Sequence, residues 1–138
     1  MNKTLLIVKP DAIERKLLGE IISRIEKKGL KILKGYLGII SRDIAENHYQ
    51  EHKSKPFYEE LVKFITRGPS FVAVVEGPND TWKILRSLMG ATDPLEAAPG
   101  TIRGDLATVI GENLIHGSDS EESAKREIKL FFPDVQVD

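Results

Sequence analysis

Three histidines occur in the chain, His48, His52 and His116, and each stands where chemistry is conceivable. His48-Tyr49-Gln50-Glu51-His52 has the H-x-x-E-H spacing of one class of zinc peptidase, in which imidazoles at i and i+4 share a helix face and hold the metal. Three fixed letters in five recur by chance, and no third ligand is specified. The plainer reading, a partly exposed helix with two polar histidines, carries more weight. His116 lies in Asn113-Leu114-Ile115-His116-Gly117-Ser118-Asp119-Ser120. A strand end followed by a glycine and two cap residues sets an imidazole beside a helix N-terminus, where phosphate is favoured. From this stretch alone, a hydrogen-bonded boundary histidine and a functional one are about equally good accounts.

Glu127 tips that balance. It falls three residues after Ala124 and one before Ile128, on the apolar face of the last helix. A core-facing carboxylate needs a partner, because an unpaired buried charge is costly. Packing of that helix on the sheet can return Glu127 to His116 and Ser118, the form of a nucleophile with its orienting group. The bland alternative leaves Glu127 solvated at the stripe's edge.

Among 20 basic residues, three are placed to reach a ligand rather than water. Lys9 ends a strand before Pro10-Asp11, Arg86 lies on the helix before a long loop, and Arg103 lies within that loop in Pro99-Gly100-Thr101-Ile102-Arg103-Gly104-Asp105. There is no G-x-x-x-x-G-K-[ST] and no G-x-G-x-x-G, so no P-loop or Rossmann turn would hold a nucleotide. Close carboxylate clusters are missing from the sequence as well. A magnesium ion would ride mainly on substrate phosphates.

The elements that must position these groups follow from periodicity and punctuation. Thr4–Val8 reads as a buried strand stopped by Lys9-Pro10. Leu18, Ile21, Ile22 and Ile25 mark a helix ended by Gly29. Ile32–Ile40 reads as a second strand, and Ser41 caps a helix running through His52. Pro56 suits the first turn of the next helix, whose stripe is Phe57, Leu61, Phe64 and Ile65. Phe71–Glu76 is a third strand. Thr81, Ile84, Leu85 and Leu88 mark a helix closed by Gly90. Residues 91–113, with two prolines and three glycines, form a long loop of the functional kind, holding one short helix near Leu106–Ile110. Leu114-Ile115-His116 is a short fourth strand. Ser120 caps a last helix with the stripe Ala124, Ile128 and Phe131, and 133–138 is a tail.

This order predicts an α+β domain of the ferredoxin-like β-α-β-β-α-β type. Its four-stranded, mostly antiparallel sheet carries an inserted helical hairpin and the long loop. Three of the helical stripes are expected to cover one face of the sheet. Composition agrees with a single domain over 1–138: 41% hydrophobic and 30% charged residues are ordinary globular values. A formal charge of −1 gives no global footprint for nucleic acid or anionic membrane. With no cysteine, thiol catalysis, disulfides and cysteine metal sites are excluded. No apolar run approaches the ~20 residues of a membrane span, and the apolar part of the N-terminus is too short for a signal peptide. The cytoplasm is the expected compartment.

From Thr4 to Phe132 the chain resembles the nucleoside diphosphate kinases. The resemblance is carried by Val8-Lys9-Pro10-Asp11-Ala12, His48-Tyr49, Lys55-Pro56-Phe57, Gly68-Pro69, Gly90-Ala91-Thr92-Asp93-Pro94, the segment Pro99 through Asp105, and Asn113 through Ser120. It implies the ferredoxin-like fold and a phosphate relay. The γ-phosphate of a nucleoside triphosphate, usually ATP, would pass to His116 and then to a different nucleoside diphosphate, with Mg2+ as cofactor. Lys9, Arg86 and Arg103 match the family's phosphate ligands, and Thr92 and Asn113 its donors to phosphate and sugar. Phe57 matches the aromatic that stacks on the base, implying broad base and sugar specificity. Tyr49 and Glu127 match residues that position the histidine, with Ser118 beside them. The family forms tetramers or hexamers, and its bacterial and archaeal members share a short tail like that ending at Asp138.

Other classes make different predictions. A ferredoxin-like sheet is also an RNA-binding scaffold, but that use needs aromatics on the central strands; Thr4–Val8 has none and Phe71–Glu76 has one. A zinc hydrolase would hold stoichiometric zinc. A phosphatase would share the histidine but pass phosphate to water.

Overall fold

In a computed structural model, which describes residues 1–137, four strands form one sheet in the order β2-β3-β1-β4, every neighbouring pair antiparallel. The strands are β1 (Lys3–Val8), β2 (Lys31–Ile39), β3 (Pro69–Glu76) and β4 (Ile115–Gly117). That order is the ferredoxin-like one. Between them run α1 (Pro10–Glu14), α2 (Leu18–Lys27), α3 (Arg42–His48), α4 (Tyr58–Thr66), α5 (Thr81–Met89), α6 (Ile102–Leu106) and α7 (Glu121–Phe131). No helix among the described residues is long and apolar enough to cross a membrane.

The sheet is covered on both faces. Leu6 and Val8 of β1 pack with Ile21 and Ile25 of α2, Leu85 and Met89 of α5 and Ile102 of α6. Leu5 and Ile7 point the other way, into a second core with Ala45 of α3, Val62 and Ile65 of α4, and Ile128 and Phe131 of α7. So three helices share one face, as expected, while α2, α5 and α6 pack on the other. Thr4 through Val8 is wholly buried. A strand that buries alternate side chains into two cores is apolar throughout, and so is Val72–Val75.

Four local expectations also change. The helix after Ser41 ends at His48, and Gln50–His52 is a separate 3-10 turn. The α4 stripe divides: Val62 and Ile65 enter the core, while Phe57, Leu61 and Phe64 line a cleft. The short helix of the long loop lies at Ile102–Leu106, earlier than expected, because Thr101 caps it by accepting the Gly104 N–H at 3.0 Å. The five-residue α1, too short to show periodicity, was not foreseen. Of the expected tail, Asp138 lies outside the described residues. The caps at Ser41 and Ser120 are as read, each accepting a backbone N–H three residues on.

Candidate active site

His116 is the middle residue of β4, paired with Ile7 of the central strand β1. Gly117 follows because α5 passes close: a Cβ there would stand 2.6 Å from the Met89 sulfur. The chain then turns into α7, which brings Glu127 back under the histidine. Glu127 Oε1 lies 2.9 Å from His116 Nε2 and accepts the Ser118 hydroxyl at 2.7 Å.

Glu127 is 5% exposed. Burial opposes its ionisation, but the charge and hydrogen bond of His116, with His48 and Ser118, outweigh burial and hold the carboxyl down at about 2. A carboxylate only accepts, so Nε2 of His116 carries the shared proton, and in that tautomer the lone pair lies on Nδ1. Arg126, the neighbour of Glu127, donates to the carbonyls of Asn47 and His48 at 3.2 and 3.1 Å. It ties α7 to the end of α3.

That tie fixes His48, whose ring stands edge-on to His116 with centroids 4.8 Å apart. His48 is 4% exposed. Burial first, then the charge on His116, lowers its pKa to about 3, against the pull of Glu127. It is a neutral, buried ring, which overturns the reading of a partly exposed polar histidine. His52 lies beyond the end of α3 with its ring 5.6 Å from that of Phe57, so the H-x-x-E-H spacing builds no i, i+4 pair. Tyr49 packs on His48 at 4.7 Å, and burial, then Glu127, pushes its phenol up to about 12.

The cations come from the end of β1, from α5 and from within the long loop. Lys9 donates to Asn113 Oδ1 at 2.7 Å, and Asn113 Nδ2 donates to the Thr92 carbonyl at 2.9 Å. Burial, then the Arg103 charge, lowers the Lys9 ammonium to about 8 although Asp11 pulls the other way. Arg103 is 4% exposed and donates to the carbonyls of Gly90, Asn113 and Ile115. Burial, then Arg86, lowers it to about 10. Arg86 in turn donates to the Gly117 carbonyl at 3.0 Å.

Lys9, Tyr49, Phe57, Arg86, Thr92, Arg103, Asn113, His116 and Glu127 all line one cleft of about 750 Å³. Ser118, wholly buried, supports Glu127 from beneath. Cations, a protonated-Nε2 imidazole and an apolar wall suit a ligand with phosphates at one part and a flat ring at another. The sequence gives no role in this cleft to His48, Arg126 or Asp11.

Comparison with known proteins decides the family. Residues 2–137 match the nucleoside diphosphate kinase family. The chain belongs to the nucleoside diphosphate kinase family. It is 60% identical over 132 residues to the nucleoside diphosphate kinase of a Parafrankia species, covering 96% of each chain. It is 58% identical to that of Staphylococcus carnosus, covering 96% of this chain and 87% of the relative. Among solved structures, the nucleoside diphosphate kinase of Halobacterium salinarum in complex with CDP superposes with a TM-score of 0.92 at 49% identity, covering 100% of this chain and 94% of that one. A Babesia bovis family protein superposes with a TM-score of 0.93 at 45% identity, covering 100% and 95%. As a nucleoside diphosphate kinase, the chain transfers phosphate between nucleotides through a phosphohistidine.

Proposed function

We propose that His116 is the residue phosphorylated, with Nδ1 as the attacking atom, and that the other cleft residues act as their positions suggest. The carrying observation is the His116–Glu127 contact. With Nε2 committed to Glu127, Nδ1 is the nucleophilic nitrogen. An Nδ1–phosphorus bond forms as the bond from the γ-phosphorus to the β,γ-bridging oxygen breaks, and the nucleoside diphosphate leaves. The positive charge gained by the ring is balanced by Glu127. A second diphosphate then attacks the phosphohistidine through its β-phosphate oxygen, reversing the step. Lys9, Arg86 and Arg103 neutralise charge spreading over the transferred oxygens. Thr92 and Asn113 orient phosphate and sugar, Ser118 and Tyr49 help to hold the histidine, and Phe57, 45% exposed, offers a face to any base. Broad base and sugar specificity follows.

The three metal-capable groups that gather here, His48, His116 and Glu127, are mostly nitrogen. That donor set does not fit magnesium, which takes oxygen ligands. Mg2+ therefore belongs to the substrate, as the magnesium–nucleotide complex, where it offsets phosphate charge. The halobacterial relative's complex with CDP supports a nucleoside diphosphate in this cleft. The edge strand β2 exposes Leu37 (58%) and Ile39 (65%), which supports a homo-oligomer, tetramer or hexamer. Work in the cytoplasm, with ATP as the usual donor, completes the proposal.

The test is labelling with γ-labelled ATP and magnesium. Wild type takes up close to one acid-labile, alkali-stable phosphate per chain, and unlabelled GDP chases it into GTP. His116→Gln takes up none. Label and turnover persisting in His116→Gln would place the phosphate elsewhere, and release to water in place of GTP would make a phosphatase.

A further inference from the structure

Leu114, two residues before His116, has φ of +75° although it is a buried, bulky residue. The Ile115 N–H donates to the Asn113 carbonyl at 2.9 Å across it. A three-residue turn closed in that way around a positive φ is rare and strained, and persists only where its surroundings over-determine it. Its surroundings do. The Lys9 N–H donates to the Leu114 carbonyl at 2.9 Å, and Arg103 holds the carbonyls on either side, of Asn113 and Ile115. The Leu114 N–H itself donates to Asp11 Oδ2 at 3.0 Å.

We infer that Asp11 is a positioning residue for phosphoryl transfer, acting as the acceptor that locks the strained turn at Leu114. The turn aims two groups at once. Asn113 before it meets Lys9 and the Thr92 carbonyl, and Ile115 after it starts the strand that carries His116. Released, the turn relaxes toward negative φ, and Asn113 and His116 lose their common frame. Asp11 is itself 1% exposed, and its Oδ1 has no partner. An unpartnered buried carboxylate oxygen is costly, so its place calls for a purpose. Burial raises its pKa, and Lys9 together with the Leu114 N–H counteracts this. The geometry asks for an acceptor at this reach rather than for a charge. This inference rests on His116 being the phosphate carrier.

Two conservative variants separate reach from charge. Asp11→Asn keeps an acceptor at the same distance and loses the charge; Asp11→Glu keeps the charge and moves the acceptor by one methylene. Single-turnover phosphorylation by ATP and equilibrium binding of ADP are measured for each, at a pH well below the Lys9 titration. Asp11→Asn is expected to phosphorylate close to the wild-type rate. Asp11→Glu is expected to be roughly tenfold to a hundredfold slower, the scale of a small misplacement of reacting groups. ADP binding should change much less in both. An Asp11→Glu at wild-type rate overturns the proposal, and so does an Asp11→Asn as slow as Asp11→Glu. Equal loss of binding and rate would make Asp11 a fold residue only, which also overturns it. Wild type that takes up label, with His116→Gln that takes up none, isolates any such failure from the assignment of His116.

Discussion

The ring of His48 stands at 84° to that of His116, centroids 4.8 Å apart, in a site where both approach Glu127. His48 thus forms one wall of the nucleophile's socket. His52, four residues past the end of α3, does not. The two histidines of one short motif should therefore behave differently. His48→Gln removes an aromatic edge from His116 and leaves a packing defect in a buried place, so histidine phosphorylation should slow several-fold or more. His52→Gln should label at nearly the wild-type rate. Single-turnover labelling compares them directly, and equal rates would show that the ring contact has no kinetic consequence.

That difference marks where sequence reading stops. β-Branched runs and helical stripes make β1, β3, α2, α5 and α7 legible, and serine caps locate α3 and α7. Glu127 is legible because a carboxylate on an apolar face demands a partner. His48 is not, since nothing in its type or spacing says that Arg126 will draw the end of α3 against α7. The two-sided sheet was written in the uninterrupted apolar run of β1, but a count of helices alone does not divide them between faces. Asp11 Oδ2 meets Leu114 across 103 residues of chain, a contact that no local pattern encodes.

Lys9 should give the reaction an alkaline limb. Its ammonium titrates at about 8, and its charge is needed on the phosphates. As pH rises through that value the free enzyme loses the cation, so kcat/KM should fall. A bound triphosphate favours the charged form, so the limb in kcat should lie higher. Lys9→Arg should carry the kcat/KM limb upward, whatever its absolute rate. A limb unmoved by this substitution would belong to another group.

Arg103 reads in the sequence as a phosphate ligand, and the structure also makes it a frame. Its removal leaves the carbonyls of Gly90, Asn113 and Ile115 without that donor. The Asn113 carbonyl keeps the Ile115 N–H, but those of Gly90 and Ile115 lose the Arg103 partner, and each buried group left unpaired costs about 1–3 kcal/mol. Arg103→Ala should lose about 3 kcal/mol or more of stability in denaturant melts, by the same scale, together with most of its activity. Lys at this position cannot reach three carbonyls and should recover little of either. Full stability with activity lost would confine Arg103 to the phosphates.

Phe57 is exposed at the cleft, with the Lys55 ammonium 5.7 Å from its ring centre. Phe57→Ala should weaken binding of every nucleoside diphosphate by about 1–3 kcal/mol, purine and pyrimidine together, because stacking ignores base edges. Phosphohistidine should still form at saturating ATP. Calorimetric titration with ADP, GDP and CDP tests this, and a loss confined to one base would make Phe57 a reader of identity.

Glu127 links the catalytic pair to acid stability. In the fold its carboxyl sits at about 2, below the ordinary value of 4.5, because His116 first, then His48 and Ser118, outweigh its burial. As pH falls, the unfolded chain takes up the proton first. The stability gained from the ionised, paired carboxylate is therefore complete above about 4.5 and is lost as pH drops toward 2. Glu127→Gln has no proton to gain there, so its melting temperature should fall less steeply than that of wild type across this window. His116→Gln should flatten the wild-type slope as well, since it removes the partner whose charge and hydrogen bond favour the carboxylate. Kinetically, Glu127→Gln should still form phosphohistidine, but slowly: the nucleophile remains, while the group that fixes its tautomer and balances its charge is gone. Wild type and Glu127→Gln melting in parallel through the acid window would mean that Glu127 is not held ionised by the pair. The assignment of the Nε2 proton, and with it of Nδ1 as the attacking atom, would then lose its footing.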